Sequence, residues 1–348
     1  MGMPEMEGAP AAHGTPHEAP ATLPDVVFLG AGAFGVPVLR MLADAGRVAL
    51  VVSQPDRVAG RGKQLTPTPI SEFALARGLP LLRPEDCNAP DQCELIRSAA
   101  TAAAQRAARD GRPQPGPVFV VIAFGQKLSP PLLSDVFAIN LHGSLLPRWR
   151  GAAPIQRAMM EGDPVAGVSV ISLAERMDAG MMYAEEPLAV GPSQTAGELH
   201  DALSALGPDL MAAVLHAWCR GTVQARSQDE SLATRARKLS KLDAWVDLTM
   251  PADHVRARIN GLNPWPGCGI SVAGTPLIVR RCEPAPEAAP GAPGTLRMDG
   301  TLCCGSGAVR LLEVQAAGGR VLSFGAWSRG ARLEGEPMVT SAPPAREP

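Results

Sequence analysis

Asn140, His142 and Ser144 stand at alternate positions shortly after the apolar run 118–125. In an extended segment alternate side chains share a face, so this spacing predicts an amide, an imidazole and a hydroxyl opening into one cleft. Attack on a carbonyl needs a donor for the oxygen that gains charge and a group that moves a proton. Asn140 and His142 are the residue types for those two tasks. Gly143 lets the backbone approach a ligand, Pro147 ends the extended piece, and Arg148 and Arg150 add positive charge beside it. Asp178 follows 36 positions after His142 (178 − 142). It reads either as a carboxylate that orients the imidazole or as the turn former that an Asp close before a Gly often is. Taken alone, the residues favour the turn, just as an isolated Asn-x-His more often marks a core histidine than a catalyst.

The elements that must carry these residues are those of an α/β chain. The run 26–30 is continuously apolar and ends in Gly30, which reads as a buried parallel strand. A helical pattern over 38–45 and a strand over 48–52 follow, and the turn between the first strand and the helix, Gly30–Gly35, is a literal G-x-G-x-x-G. One reading is a dinucleotide site. That fingerprint also wants an acid at the end of the second strand, where Ser53 and Gln54 stand and Asp56 comes late. The other reading is a glycine-rich turn where a strand meets a helix. Further strands are expected over 79–82, 117–123, 167–173 and 183–190, and helices over 71–77, 89–108, 153–161 and 195–219, the last with Thr195 and Glu198 as a capping box. The Pro/Gly stretch 109–117 reads as a surface insertion.

The segment 54–65, QPDRVAGRGKQL, has glycines, Arg57, Arg61 and Lys63, and no apolar period, which predicts a mobile basic loop. From 221 to 241 the chain is polar and reads as a linker. Beyond it a helix is expected over 252–260, and short strand candidates over 270–272, 277–282, 295–296, 309–314 and 320–322, separated by Gly and Pro, suggest a small β-barrel. The last residues read as a frayed tail.

Composition narrows the classes. With 348 residues, two domains fit. Hydrophobic residues make up 46% and aromatic ones 4%, so aliphatic side chains must fill the core. A formal charge of −2 means that a nucleic-acid partner needs local basic patches. The seven cysteines form no C-x-x-C pair and have no His at ligand spacing, which points to reduced thiols rather than a zinc site. The first residues, rich in Pro, Ala and Gly, lack a basic and an apolar segment of the signal-peptide kind and read as a disordered extension. No apolar run is expected to cross a membrane.

The stretch NLHGSLLPRWRGAAPIQ, 140–156, resembles the hydrolase-type formyltransferase family, whose signature is N-x-H-x-S-L-L-P. The longer match is similar to the members that act on methionyl-tRNA. The resemblance runs from about 26 to 330. It implies a Rossmann-like N-terminal formyltransferase domain with a parallel-rich sheet over 25–220, whose glycine turn holds no dinucleotide. After the 221–241 linker it implies an OB-like tRNA-binding barrel over 242–335, between a 1–24 extension and a 336–348 tail. It implies transfer of a formyl group from 10-formyl-tetrahydrofolate to the α-amine of initiator methionyl-tRNA, with no metal and no nicotinamide, in the cytoplasm, by a protein expected to be a monomer. Carried over residue by residue, Asn140, His142 and Asp178 would be catalytic. Phe124, Gly125, Gln126, Ser144, Leu145, Leu146 and Pro147 would line the folate site. Arg57, Arg61, Lys63, Arg148 and Arg150 would meet tRNA. The family's turn near Asp178 has a second acid, and Met181 stands in its place here.

Overall fold

The computed structural model describes residues 23–59, 64–333 and 335–343. Arg61 and Lys63 lie outside the described residues. β1 (Val26–Gly30) is buried at every position, as a strand covered on both faces must be. Then follow α1 (Val36–Asp44), β2 (Val48–Val52), the short ribbon β3 (Arg57–Ala59) and β4 (Gln64–Thr66), α2 (Pro69–Ala76), β5 (Leu81–Leu82) and α3 (Pro90–Arg109). Next come β6 (Val118–Ile122), α4 (Pro130–Leu133), β7 (Phe137–His142), β8 (Arg150–Gly151), α5 (Pro154–Met160), β9 (Val165–Ser172), β10 (Met182–Ala189) and α6 (Ala196–Cys219).

Seven of these strands make one sheet in the order β10-β9-β7-β6-β1-β2-β5. β5, β2, β1, β6 and β7 run parallel, and β9 is antiparallel to both neighbours. The chain therefore builds outward from β1 on one side and then on the other. Open α/β sheets bind ligands at the strand carboxyl ends where the winding reverses, here between β1 and β6, with the end of β7 adjacent. The glycines of the first turn serve packing: a Cβ on Gly30 would sit 2.7 Å from the Phe28 ring and 2.9 Å from the Ile122 carbonyl. At the end of β2, Gln54 donates to the Phe124 carbonyl and Asp56 pairs with Arg83 at 2.7 Å. At 24 residues α6 is long and apolar enough to cross a membrane, which the run-length reading missed. Its stripe Leu199, Leu203, Met211, Val214 and Leu215 is buried in the core under the sheet.

Two expectations about the edges of this half are corrected. The core begins at Leu23, which is buried with Val26 and Phe28, so the extension is shorter than 1–24. The 109–117 stretch is more than a surface insertion. Asp25, 2% exposed, takes both nitrogens of the Arg112 fork at 2.8 and 2.9 Å, and Gln114 bonds the Asp25 backbone in both directions. Arg47 and Arg106 complete the cage, and the carboxylate's hydrogen bonds hold the Arg112 guanidinium above its ordinary pKa. A buried carboxylate stripped of its main partner is costly, but two cations remain. We expect Arg112→Ala to lose about 2 kcal/mol in a urea melt, with Arg112→Lys intermediate because an ammonium cannot bridge both oxygens.

The second half holds β11 (Arg235–Ala236), α7 (Ala252–Gly261), β12 (Cys268–Val272), β13 (Thr275–Pro284), β14 (Thr301–Cys303), β15 (Ala308–Ala316), β16 (Val321–Ser323), α8 (Phe324–Ala331) and β17 (Val339–Thr340). Its antiparallel sheet runs β14-β15-β13-β12-β17, with β16 on β15, and register shifts along β13 curl it. Residues 295–296 make isolated bridges rather than a strand. Within the stretch 338–348 expected to fray, Val339 is buried and pairs with Val272.

The two cores meet in α5. Ile155 and Met159 belong to the first, Ala153 and Met160 to the second. α7 approaches closely enough that a Cβ on Gly261 would lie 2.7 Å from Met160 Cγ. All seven cysteines are free, and burial pushes the Cys87 and Cys219 thiols up to about 11 and that of Cys268 to about 12.

Candidate active site

β7 brings Asn140 and His142 to one face, with Asn140 opposite Ile171 and His142 opposite Ser169 of β9. The strand stops at His142. The alternation argument therefore holds for Asn140 and His142 and fails for Ser144. Ser144 is 2% exposed; its hydroxyl donates to the Arg148 carbonyl at 2.7 Å, and its own carbonyl accepts from Ser169 at 2.8 Å. It braces the 143–149 turn instead of facing a ligand. Leu146 packs with Ile171 and Met182, and Leu145 lies against Gly167, so both leucines anchor the turn to the sheet. Pro147 is half-buried beside them.

His142 is 7% exposed and its Nε2 lies 2.9 Å from the Trp149 carbonyl oxygen. A carbonyl only accepts, so Nε2 carries a proton and Nδ1 is the nitrogen turned toward Asp178. Trp149 aims its carbonyl from a left-handed conformation, φ +64°, and its indole is tied to Asp163 at 2.7 Å. Asp178 Oδ2 stands 3.7 Å from His142 Nδ1. That is an electrostatic contact beyond hydrogen-bond range. The same oxygen accepts the Gly151 N–H at 2.8 Å. Gly151 has φ +128°, and a Cβ there would fall 2.5 Å from the Ala236 carbonyl, so only glycine lets β8 lie against β11 and hold the carboxylate. The missing acid at Met181 leaves the Asp178 turn intact: Met181 N–H donates to Ser172 Oγ at 2.9 Å, and Gly180 lies so near the Ser172 backbone that a Cβ would overlap it.

Asn140 is half-buried, and its amide makes no hydrogen bond among the described residues. An amide beside a buried imidazole–carboxylate pair, with its donors unspent, is what a developing oxyanion needs. At the end of β6, Phe124 is buried in the core and Gly125 turns with φ +83°. The Gln126 amide is fully engaged by the backbone of Pro84, Glu85 and Cys87, so this loop can offer a ligand main-chain groups but not the Gln126 side chain.

The two arginines expected at the nucleic-acid face are occupied. Arg148 pairs with Asp163 at 2.8 and 3.0 Å. Arg150, 8% exposed, is held by Gln228 and Glu230, and Arg150's hydrogen bond, against the opposing effect of burial, lowers the Glu230 pKa. Arg150 is an internal clamp, whereas Arg148 stays exposed, its side chain 50% accessible beside Asp163. Arg57 is exposed on β3 and makes no ion pair among the described residues. The 221–241 linker is a strap: Arg226 exchanges backbone bonds with Met182, Thr234 Oγ1 accepts the Trp149 N–H, and β11 pairs with β8. Among the described residues no cluster of three or more His, Cys, Asp or Glu is placed to hold a metal.

Comparison with known proteins decides the family. Residues 25–215 match the formyl transferase model and residues 238–332 the formyl transferase C-terminal domain. The chain belongs to the formyltransferase family. It is 39% identical over 317 residues to the methionyl-tRNA formyltransferase of Rhodopseudomonas palustris, covering 89% of this chain and 97% of the relative. The enzyme of the same name from Methylococcus capsulatus is 36% identical over 304 residues, covering 86% and 94%. Among solved structures, an N-formyltransferase from Helicobacter canadensis in complex with folinic acid and dTDP-3-aminofucose superposes with a TM-score of 0.61 at 11% identity. It covers 84% of this chain and 99% of its own, a likeness of fold. The formyltransferase architecture expected from the sequence, a parallel-rich domain followed by an OB-like barrel domain, is thereby shown, the second sheet being a curled antiparallel half-barrel. Gly151 and the Trp149 carbonyl could have been suspected from the motif around them. Nothing in a polar inter-domain segment marks Gln228.

Proposed function

We propose that this formyltransferase moves the formyl group of 10-formyl-tetrahydrofolate to the α-amine of methionine on initiator tRNA. One observation carries the reading: relatives named methionyl-tRNA formyltransferase match at 36–39% identity through both halves of the chain. The donor supplies an activated formyl carbon, and its place is the crevice between the ends of β6 and β7, where main chain at Gly125 is open. Asn140 donates to the formyl oxygen as the amine attacks. The new C–N bond forms as a proton leaves the amine. In this reading Asp178 and His142 Nδ1, 3.7 Å apart, are its acceptors. His142 then returns a proton to the folate nitrogen as the old C–N bond breaks. Gly125, Phe124 and the Leu145–Pro147 turn shape the donor's side of the cleft.

For the acceptor we assign the segment 57–63, with Arg57, Arg61 and Lys63, to the tRNA, by pairing with phosphates or base edges. Arg150 is withdrawn from that role by its internal partners, while Arg148 keeps an exposed guanidinium. The test compares formylation of charged initiator tRNA with that of free small amines such as an amino-sugar nucleotide. We expect activity on the tRNA alone. Arg61→Ala should raise KM for tRNA roughly five- to a hundredfold, the cost of one lost contact, and leave KM for the donor unchanged. Equal use of a small amine, or a silent Arg61→Ala, would overturn this choice of acceptor.

A further inference from the structure

We propose that Gln228, in the strap between the two halves, is a positioning residue that sets the Asp178 carboxylate. The proposal rests on the catalytic reading of Asp178 given above. Gln228 Nε2 donates to the carbonyls of both Asp178 and Gly180 at 2.8 Å. Its Oε1 accepts from Arg150 Nε at 3.0 Å and Nη2 at 2.7 Å. Only one orientation of the amide satisfies all four contacts. Arg150 is in turn gripped by Glu230, which also holds Arg176 just before the Asp178 turn.

Asp178 needs such a hold. Its backbone sits at φ +56°, a left-handed conformation that Asp reaches more readily than most residues but that still costs energy relative to the right-handed one. The carboxylate has one hydrogen bond among the described residues, from Gly151, and misses His142 Nδ1 at 3.7 Å. The Gln228 amide holds the backbone carbonyls of Asp178 and Gly180, and so fixes the main chain from which the carboxylate projects; the Asp178 backbone cannot shift from the imidazole without breaking two hydrogen bonds. A misplacement of about 1 Å in a reacting group can cost a hundredfold in rate.

Two substitutions separate positioning from mere anchoring. Gln228→Met removes all four contacts. Gln228→Glu keeps the acceptor for Arg150 and strengthens that pair, but cannot donate to the carbonyls. We expect both to lower kcat about ten- to a hundredfold, with KM for donor and tRNA within about twofold. Should Gln228→Met fail to fold, as its thermal melt would show, Gln228→Glu still gives the answer. In an Asp178→Asn background the further effect of Gln228→Glu should shrink below about threefold, since no carboxylate remains to be placed. Near wild-type turnover by Gln228→Glu, with Asp178→Asn inactive, overturns the proposal alone. Full turnover by Asp178→Asn overturns the reading of the site and the proposal with it.

Discussion

Replacing His142 by alanine is expected to cut kcat and kcat/KM together by about a thousandfold, within the range a lost proton carrier costs. Donor binding should be unchanged, because the imidazole's hydrogen bond goes to the Trp149 carbonyl and the role proposed for its ring is proton movement. Asp178→Asn should fall as far. It retains an acceptor for the Gly151 N–H and so spares the buried main chain an unmet donor, which Asp178→Ala would leave at a cost of about 1–3 kcal/mol. Single-turnover kinetics with saturating donor and tRNA make the measurement. A variant within threefold or so of wild type would remove that residue from the mechanism.

The second large effect belongs to Asn140. Truncation to alanine should slow the chemical step by a factor of a hundred to a thousand, about 3 kcal/mol, as for other single oxyanion donors. Stability should hardly move, because the Asn140 amide has no hydrogen bond to lose among the described residues. Asn140→Asp is the sharper probe. It keeps size and shape but sets a negative charge where negative charge must grow, so it should be slower than Asn140→Ala. If it were faster, Asn140 would be acting on a proton and not on an oxyanion.

The sheet and the pair Asn140/His142 were legible because each depends on local pattern: continuous apolar runs for buried strands, and period-two alternation for a shared face. Asp178 was placed by its resemblance, since a left-handed Asp near Gly looks like any turn. Ser144 and Arg150 sit differently from what their motif suggests for one physical reason: they are buried, and their hydrogen bonds go to the Arg148 carbonyl and to Gln228 with Glu230. The strap was hidden because its partners are 50 to 80 positions away in the chain, as in Gln228 to Asp178 and Arg150 to Glu230. Likewise α8 and the β17 edge close the second core through contacts that no local period announces.

Helix α5 divides its apolar residues between two cores, and this bears on how the protein is born. During synthesis the first 220 residues leave the ribosome with Ile155 and Met159 able to dock on the sheet, while Ala153 and Met160 face water until α7 and β12 emerge. The carboxylate of Asp178 waits likewise for Gln228 and for Ala236 to seat Gly151. The nascent N-terminal half thus lacks the residues that cover Met160 and those that hold the Asp178 turn. Both are in place only once α7 has been made and can pack on α5.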